Sequence, residues 1–365
     1  MNILHIIEDF SLQGAGLRTV IKDLNEQLNQ LGGFNSIVLS SSKEKNDLIR
    51  TVNMPTASPW LYSKDWKKKI ELIIQLDKVD VIHIHGVWMY PQYIAVKIAL
   101  KNKIPFVITP HGMYEPWLWT KGTVKKKLYF KFLTSRLFSK SNVIHAITHN
   151  EKKNLRNLFP KNKIIEIPNL IDFNDYSNLE TRQDNEKYIL YLGRLHQVKG
   201  IEILIKAFYE LEDKKVILKI AGGFNSYKIK LESLITELNL KNRVQFLGLV
   251  KGDEKLKLFR NAFVFVAPSY SEVIGMVNLE AATQKTPVIT TFNTGLKHQW
   301  SDNGGILINP KKDDLTIALM QVLDWNNRIR NEKGKKLFRF VKENYSWETK
   351  LKDWINLYSS LKPTK

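Results

Sequence analysis

Twelve short runs rich in β-branched residues punctuate the chain, six in each half, and longer amphipathic stretches separate most of them. The first half carries "NILHII", "FNSIVLS", "DVIHIH", "PFVITP", "NVIHAIT" and "KIIEIP"; the second carries "KYILYLG", "VILKIAG", "RVQFLG", "FVFVAP", "PVITT" and "GGILINP". Most are apolar nearly throughout, as strands covered on both faces are. Segments such as "GLRTVIKDLNEQLNQLG" and "GDEKLKLFRNA" have helical spacing. Alternation of strand and helix predicts an α/β protein with parallel sheets built from βαβ units. Six strands per half predict two doubly wound domains rather than one sheet of twelve.

A length of 365 residues suits two domains. The expected break is residues 168–187, "PNLIDFNDYSNLETRQDNEK", which is polar and lacks apolar periodicity. The domains are then 1–170 and 171–346. In the tail, Trp347, Leu351, Trp354, Leu357 and Leu361 fall at helical spacing. They predict a closing helix over 347–362 that can pack across either domain and is assigned to the first.

Composition narrows the function classes. Apolar residues make up 43% and charged residues 25%, too apolar a balance for a disordered chain. Cysteine is absent, which excludes a disulfide framework and a thiolate metal site and fits a reducing compartment. The start, "MNILHIIEDFSLQGAG", reads as a first strand rather than a signal peptide. No run of eighteen apolar residues predicts a transmembrane helix. The formal net charge of +20 attracts polyanions: nucleic acid, anionic lipid or phosphorylated substrates. Zinc-finger spacing and RNP-like aromatic strands are missing, so nucleic acid is not the expected partner. An AT-rich genome accounts for the lysines equally well.

"PSYSEVIGMVNLEAATQKTPVI", residues 268–289, places Glu272 in the loop after a strand and Glu280 about one turn into a helix. Ligands gather at strand carboxyl ends in open α/β sheets. A helix start offers unpaired N–H groups and partial positive charge to a phosphate. Two carboxylates so spaced can accept hydrogen bonds from two separate diols. On spacing alone, a solvated loop glutamate and a dipole-favoured helix glutamate remain an open alternative.

Other stretches add candidates. "YLGRLHQVKG", residues 191–200, carries Arg194 and Lys199 on a strand-to-helix loop, where two cations can neutralise a diphosphate; a solvated basic turn would look the same. "DFSLQGAGLRTV" places Gly14 and Gly16 where a ligand could approach backbone, without a full dinucleotide fingerprint. "VITPHGMYEPW" puts His111 directly after a strand, where it could share a proton or be structural. "VIHIHGVW" sets His83 and His85 on one strand face; no neighbouring Asp, Glu or Cys completes a metal set, so no metal is expected. Residues 119–142 mix Lys125, Lys126, Lys127, Lys131, Arg136 and Lys140 with Leu128, Phe132, Leu133 and Phe138. That basic amphipathic segment suits an anionic membrane surface or an ordinary helix with its apolar side in the core, and residues 64–76 could extend it.

Taken in order, the glycine loop, the His-Gly turn, the "G-R-x-x-x-x-K-G" loop and the Glu-x7-Glu pair with "PSYSE" and "TPVITT" resemble the retaining nucleotide-sugar glycosyltransferases of family 4. The resemblance covers nearly the whole chain. It implies the GT-B fold, two Rossmann-like domains facing across a cleft, with acceptor bound by the first and nucleotide sugar by the second. It implies that Glu272 contacts donor sugar hydroxyls and Glu280 the ribose. Gly275, Met276 and Val277 would approach the sugar and diphosphate; Arg194 and Lys199 would bind the diphosphate, with Gly14 and Gly16 opposite. His111 would act near the reacting carbon, and His85 would line the acceptor side. "EVIG" replaces the common "EGFG", so Val273 and Ile274 alter the pocket. The expected reaction is metal-independent, cofactor-free retaining transfer from a nucleotide sugar, UDP by default, to a glycan or polyprenyl-diphosphate-linked acceptor. Cytoplasmic location, peripheral to the membrane inner face, follows. A sugar-nucleotide epimerase of the same fold and a non-catalytic polyanion-binding protein are the rival readings.

Overall fold

The computed structural model describes residues 1–10, 15–41, 49–52, 58, 60–119, 123–173 and 186–361. The chain divides into two units: Met1–Leu170 with Lys350–Lys365, and Ile171–Thr349.

The first unit carries β1 (Asn2–Ile6), α1 (Ala15–Gln30), β2 (Asn35–Ser40), β3 (Ile49–Thr51), α2 (Lys64–Asp77), β4 (Val81–His85), α3 (Tyr90–Lys101) and β5 (Phe106–Thr109). It continues with α4 (Thr123–Tyr129), a π turn over Phe130–Thr134, α5 (Ser135–Phe138), β6 (Val143–Ala146), α6 (His149–Leu158) and β7 (Ile164–Glu166). Its seven strands are parallel, in the order β3-β2-β1-β4-β5-β6-β7. The sequence predicts six here; the seventh is the short edge strand β3. It pairs Val38, Leu39 and Ser40 with Ile49, Arg50 and Thr51, two of which are exposed. An exposed edge strand leaves no apolar run to read.

The second unit carries β8 (Tyr188–Leu192), α7 (Ile201–Tyr209), β9 (Ile217–Ala221), α8 (Ser226–Glu237), β10 (Val244–Gly248), α9 (Gly252–Asn261), β11 (Val264–Ala267) and α10 (Met276–Thr283). Then come β12 (Val288–Thr291), β13 (Ile306–Ile308), α11 (Lys312–Leu323), α12 (Asn327–Tyr345) and α13 (Trp347–Ser359). The strand order is β10-β9-β8-β11-β12-β13, again parallel. From Lys350 onward α13 belongs to the first unit, where Trp354 and Tyr358 pack against the His83 ring.

Helices cover both faces of each sheet, which is why the strand runs are apolar on both sides. In the first unit Leu4, Ile84 and Ile108 pack with Trp66, Ile70 and Val96. In the second, Ile220, Val266 and Ile289 pack with Leu204, Phe208 and Leu319. Helix starts take side-chain caps: Ser63 accepts from Asp65 N–H, Thr148 from Glu151 N–H and Asn326 from Ile329 N–H.

The strand orders fix where loops meet. Strand order reverses between β1 and β4 and again between β8 and β11. At such a switch the following loops diverge to opposite sheet faces and open a crevice at the strand carboxyl ends.

Candidate functional site

In the second unit the switch lies between the loop after β8, which holds Arg194 and Lys199, and the loop after β11, which holds Glu272. The two loops are stitched together. Tyr270 N–H donates to the Val198 carbonyl at 2.8 Å. Gly200, with φ 68°, lets the chain turn so closely that an added Cβ would lie 2.2 Å from the Pro268 carbonyl oxygen. The result is direct contact between two predicted site residues: Lys199 Nζ lies 2.9 Å from Glu272 Oε1. Both are mostly buried, with side-chain exposures of 21% and 12%. Ser269 Oγ–H donates to the same carboxylate oxygen, and Glu272 N–H donates to the Asn293 carbonyl at 2.9 Å.

Glu272 also reaches the start of α10. A Cβ on Gly275 would stand 3.1 Å from Glu272 Oε2 and 2.6 Å from Asn278 Nδ2. A side chain at this N-cap would crowd both groups, and Met276 and Val277 follow it in the first helical turn. Glu280, in the second turn, faces a partner that sequence reasoning missed: Lys255 of α9, with Nζ 2.7 Å from Glu280 Oε1. Among the described residues the buried Glu280 Oε2 and both side-chain polar atoms of Asn278 have no hydrogen-bond partner. Lys255 is one of two lysines on an amphipathic helix, and nothing in its spacing singles it out.

Arg194 is exposed, and its carbonyl accepts from the Tyr191 hydroxyl at 3.0 Å. Burial and the nearby Glu272 carboxylate push the Tyr191 hydroxyl well above its ordinary range, so it stays a neutral donor. The sequence pictures Arg194 and Lys199 as two cations awaiting a diphosphate. The structure differs: Lys199 is already neutralised by Glu272, so an anion must share it or draw it away. Together Lys199, Glu272 and Gly275 form one contiguous group, and Glu280 with Lys255 forms a second on the neighbouring turn.

In the first unit the sites gather around histidine. Gly14 lies outside the described residues; Gly16 sits in the first turn of α1 with open space around its Cα. His111 follows β5 in the left-handed region, φ 53°, and Gly112 follows at 75°. A β-substituted residue holds such a conformation only where its surroundings enforce it. Glu151 of α6 does so: its carboxylate accepts from Gly112 N–H at 2.6 Å and from Ile147 N–H at 2.7 Å. Burial pushes that carboxyl up to about 7.

Behind His111 stand four more of the chain's eight histidines. His85 Nδ1 lies 2.9 Å from His111 Nε2, and His85 Nε2 lies 2.9 Å from His5 Nδ1. His83 bridges the Tyr358 hydroxyl and Thr109 Oγ1, at 2.7 and 2.6 Å. His145 joins Thr109 Oγ1 to the Ile167 carbonyl, at 2.9 and 2.8 Å. Burial pushes His5 and His111 down to about 3 and His145 to about 4, and holds His83 and His85 well below their ordinary value. All five rings are neutral near pH 7.

The resemblance places His85 on the acceptor side. In the structure His85 is 1% exposed, with both ring nitrogens engaged by His5 and His111. The strand pair His83 and His85 gains a third imidazole, His5, whose ligating atoms lie within 4.8 Å of theirs. Hydrogen bonds account for every nitrogen of these three except His5 Nε2. His5 escaped the sequence because its role depends on register: it lies beside His83 across β1 and β4.

Comparison with known proteins agrees with this architecture. The family model for "Glycosyltransferase Family 4" matches residues 14–175, and that for "Glycosyl transferases group 1" matches 172–337. An uncharacterized glycosyltransferase of Methanocaldococcus jannaschii is 30% identical over 342 residues, 85% of this chain and 83% of that protein. The alpha-monoglucosyldiacylglycerol synthase of Streptococcus pneumoniae is 25% identical over 371 residues, 91% of this chain and 81% of that protein. The Anabaena protein HepE, solved with UDP, superposes with a TM-score of 0.79 at 16% identity, over 99% of this chain and 100% of that one. The chain belongs to the group 1, family 4 glycosyltransferases and has the GT-B fold.

Proposed function

We propose that the protein is a metal-independent, retaining glycosyltransferase that takes a sugar from a nucleotide sugar, with UDP as the favoured nucleotide. The observation that carries this reading is the Lys199–Glu272 contact at 2.9 Å beside the bare N-terminus of α10. Arg194, Lys199 and the N–H groups of Met276 and Val277 hold the diphosphate; Glu272 accepts from sugar hydroxyls and Glu280 from the ribose. The arriving diphosphate displaces Lys199 from Glu272, freeing the carboxylate for the sugar. His111 hydrogen-bonds the transferred sugar. UDP complexes of HepE, a structural neighbour, support the choice of nucleotide.

In this reading the bond from the anomeric carbon to the diphosphate oxygen breaks, and the bond to the acceptor oxygen forms on the same face. The acceptor proton passes to the departing phosphate oxygen. Once drawn to the diphosphate, Arg194 and Lys199 stabilise the charge that develops there, the role a divalent cation plays elsewhere. Product analysis tests the reading: NMR should show the donor's anomeric configuration kept and turnover undiminished in EDTA. An epimerase would act on the donor with no acceptor present, and a polyanion-binding protein would give no turnover.

The acceptor is a glycan or a lipid-linked glycan, polyprenyl diphosphate included, in surface polysaccharide or glycoconjugate synthesis. Relatives named as an alpha-monoglucosyldiacylglycerol synthase and an O-antigen chain mannosyltransferase support that class. So does the basic segment. Val124, Leu128 and Phe132, spaced four apart, are 70%, 49% and 70% exposed, flanked by Lys125, Lys127, Lys131 and Arg136. Phe138 alone of that segment's aromatics is fully buried. An apolar stripe left in water beside cations suits peripheral attachment to an anionic membrane from the cytoplasmic side. Among the described residues no helix is long and apolar enough to cross a membrane. Flotation with anionic vesicles should carry the protein upward, and Leu128→Glu with Phe132→Glu should abolish it; equal flotation of both would overturn the attachment.

A further inference from the structure

The row His111, His85, His5 admits only two arrangements of protons. Each ring is neutral and carries one N–H. Each of the two contacts, at 2.9 Å, needs one donor and one acceptor. If His85 is protonated on Nδ1 it donates to His111 Nε2, so His111 carries its proton on Nδ1. The bare Nε2 of His85 then accepts from His5 Nδ1–H. The opposite arrangement reverses all three rings together.

The inner end decides between them. His5 is 0% exposed, and its Nε2 has no partner among the described residues. The reversed arrangement would bury an N–H there with nothing to receive it, and orphaned buried N–H groups are rarer than orphaned acceptors. The first arrangement leaves only a lone pair. At the other end His111 is half-buried and its Nδ1 is not among the buried atoms left without a partner, so an N–H there is not orphaned.

We propose that His5 and His85 are positioning residues that lock His111 as the Nδ1-protonated tautomer, so that it meets the transferred sugar as a hydrogen-bond donor and never as a base. The sugar contact rests on the function proposed above; the lock does not. The second histidine chain supplies an internal control of opposite sign. The Ile167 carbonyl can only accept, so His145 donates from Nε2 and takes Thr109 Oγ1–H on Nδ1. Thr109 then accepts from His83 Nε2–H, and His83 Nδ1 accepts from the Tyr358 hydroxyl.

Long-range proton–nitrogen NMR on the whole protein, labelled with nitrogen-15 in histidine, reads each tautomer directly at pH 7.5. The expected result is Nδ1–H on His5, His85 and His111, and Nε2–H on His83 and His145. Nε2–H or an imidazolium at His111 would overturn the lock. His5→Asn keeps an N–H where Nδ1 stood and should retain both the His111 signature and kcat. His5→Leu makes His85 Nε2 the buried inner end, so His111 should stay Nδ1-protonated there. His5→Asp puts only acceptors where Nδ1 stood, so it should draw the N–H of His85 to Nε2, turn His111 to Nε2–H and lower kcat about fivefold, the worth of one net hydrogen bond, with donor KM little changed. An Nδ1–H signature at His111 in folded His5→Asp would contradict the proposal. The row reversed in His5→Asp with turnover unmoved would leave the lock standing and remove His111 from the transfer step.

Discussion

At the scale of single residues, the proposed donor site rests on two ion pairs that would re-partner when a donor binds. Lys199 and Lys255 each hold a glutamate, at 2.9 and 2.7 Å. Glu272→Gln keeps the shape but removes the charge that holds Lys199, and should lower kcat by about 10²–10³-fold if the sugar contact strengthens in the transition state. Lys255→Met should act differently, because Lys255 touches Glu280, the residue proposed to hold the ribose, and not Glu272. Donor KM should rise about tenfold, the lower end for a charged hydrogen bond, with kcat near the wild-type value. Steady-state kinetics on both variants separates the roles; a fall in kcat for Lys255→Met would place that lysine at the reacting centre instead.

At the scale of elements, two devices position these residues. One is the close crossing of the loops after β8 and β11 at Gly200. Ala at that position meets the Pro268 carbonyl and an unfavourable φ at once, so Gly200→Ala should destabilise the protein by at least about 1–2 kcal/mol in urea unfolding. The other is the histidine array across β1, β4, β5 and β6. These rings titrate near pH 6.5 when unfolded and, for those assigned values, at about 3 to 4 when folded. Unfolding therefore takes up protons below pH 6.5, and the stability they contribute, complete above that pH, is lost as pH falls. Buried Glu151 has the opposite sign: its contribution is complete below pH 4.5 and lost as pH rises toward 7. Glu8 and Glu115, also raised by burial, add to that side. Five imidazoles outnumber three carboxyls, so the melting temperature should fall from pH 6.5 to pH 5. The slope is about 1.4 kcal/mol per pH unit for each excess proton. A melting temperature that rises over that interval would contradict the neutral array.

At the scale of the whole molecule, the sequence showed twelve of the thirteen strands found among the described residues, because a strand buried on both faces writes an unbroken apolar run. The edge strand Ile49–Thr51 wrote none. Glu272, Lys199 and His111 could be singled out as candidates because they stand after strands in recognisable motifs, and Glu280 because it lies on the helix that follows. Lys255, Glu151 and His5 were not, since each matters through a partner distant in sequence, brought close by strand register or helix packing. The central claim is that one group, built on Lys199, Glu272 and the start of α10, with Glu280 alongside, holds a nucleoside diphosphate. Titration calorimetry with UDP tests it most directly. The account predicts binding by the wild type and affinities at least about tenfold weaker for folded Lys199→Met and Glu280→Gln, each losing a charged hydrogen bond. Equal affinity in all three proteins, or no binding of UDP, GDP or ADP by the wild type, would contradict it.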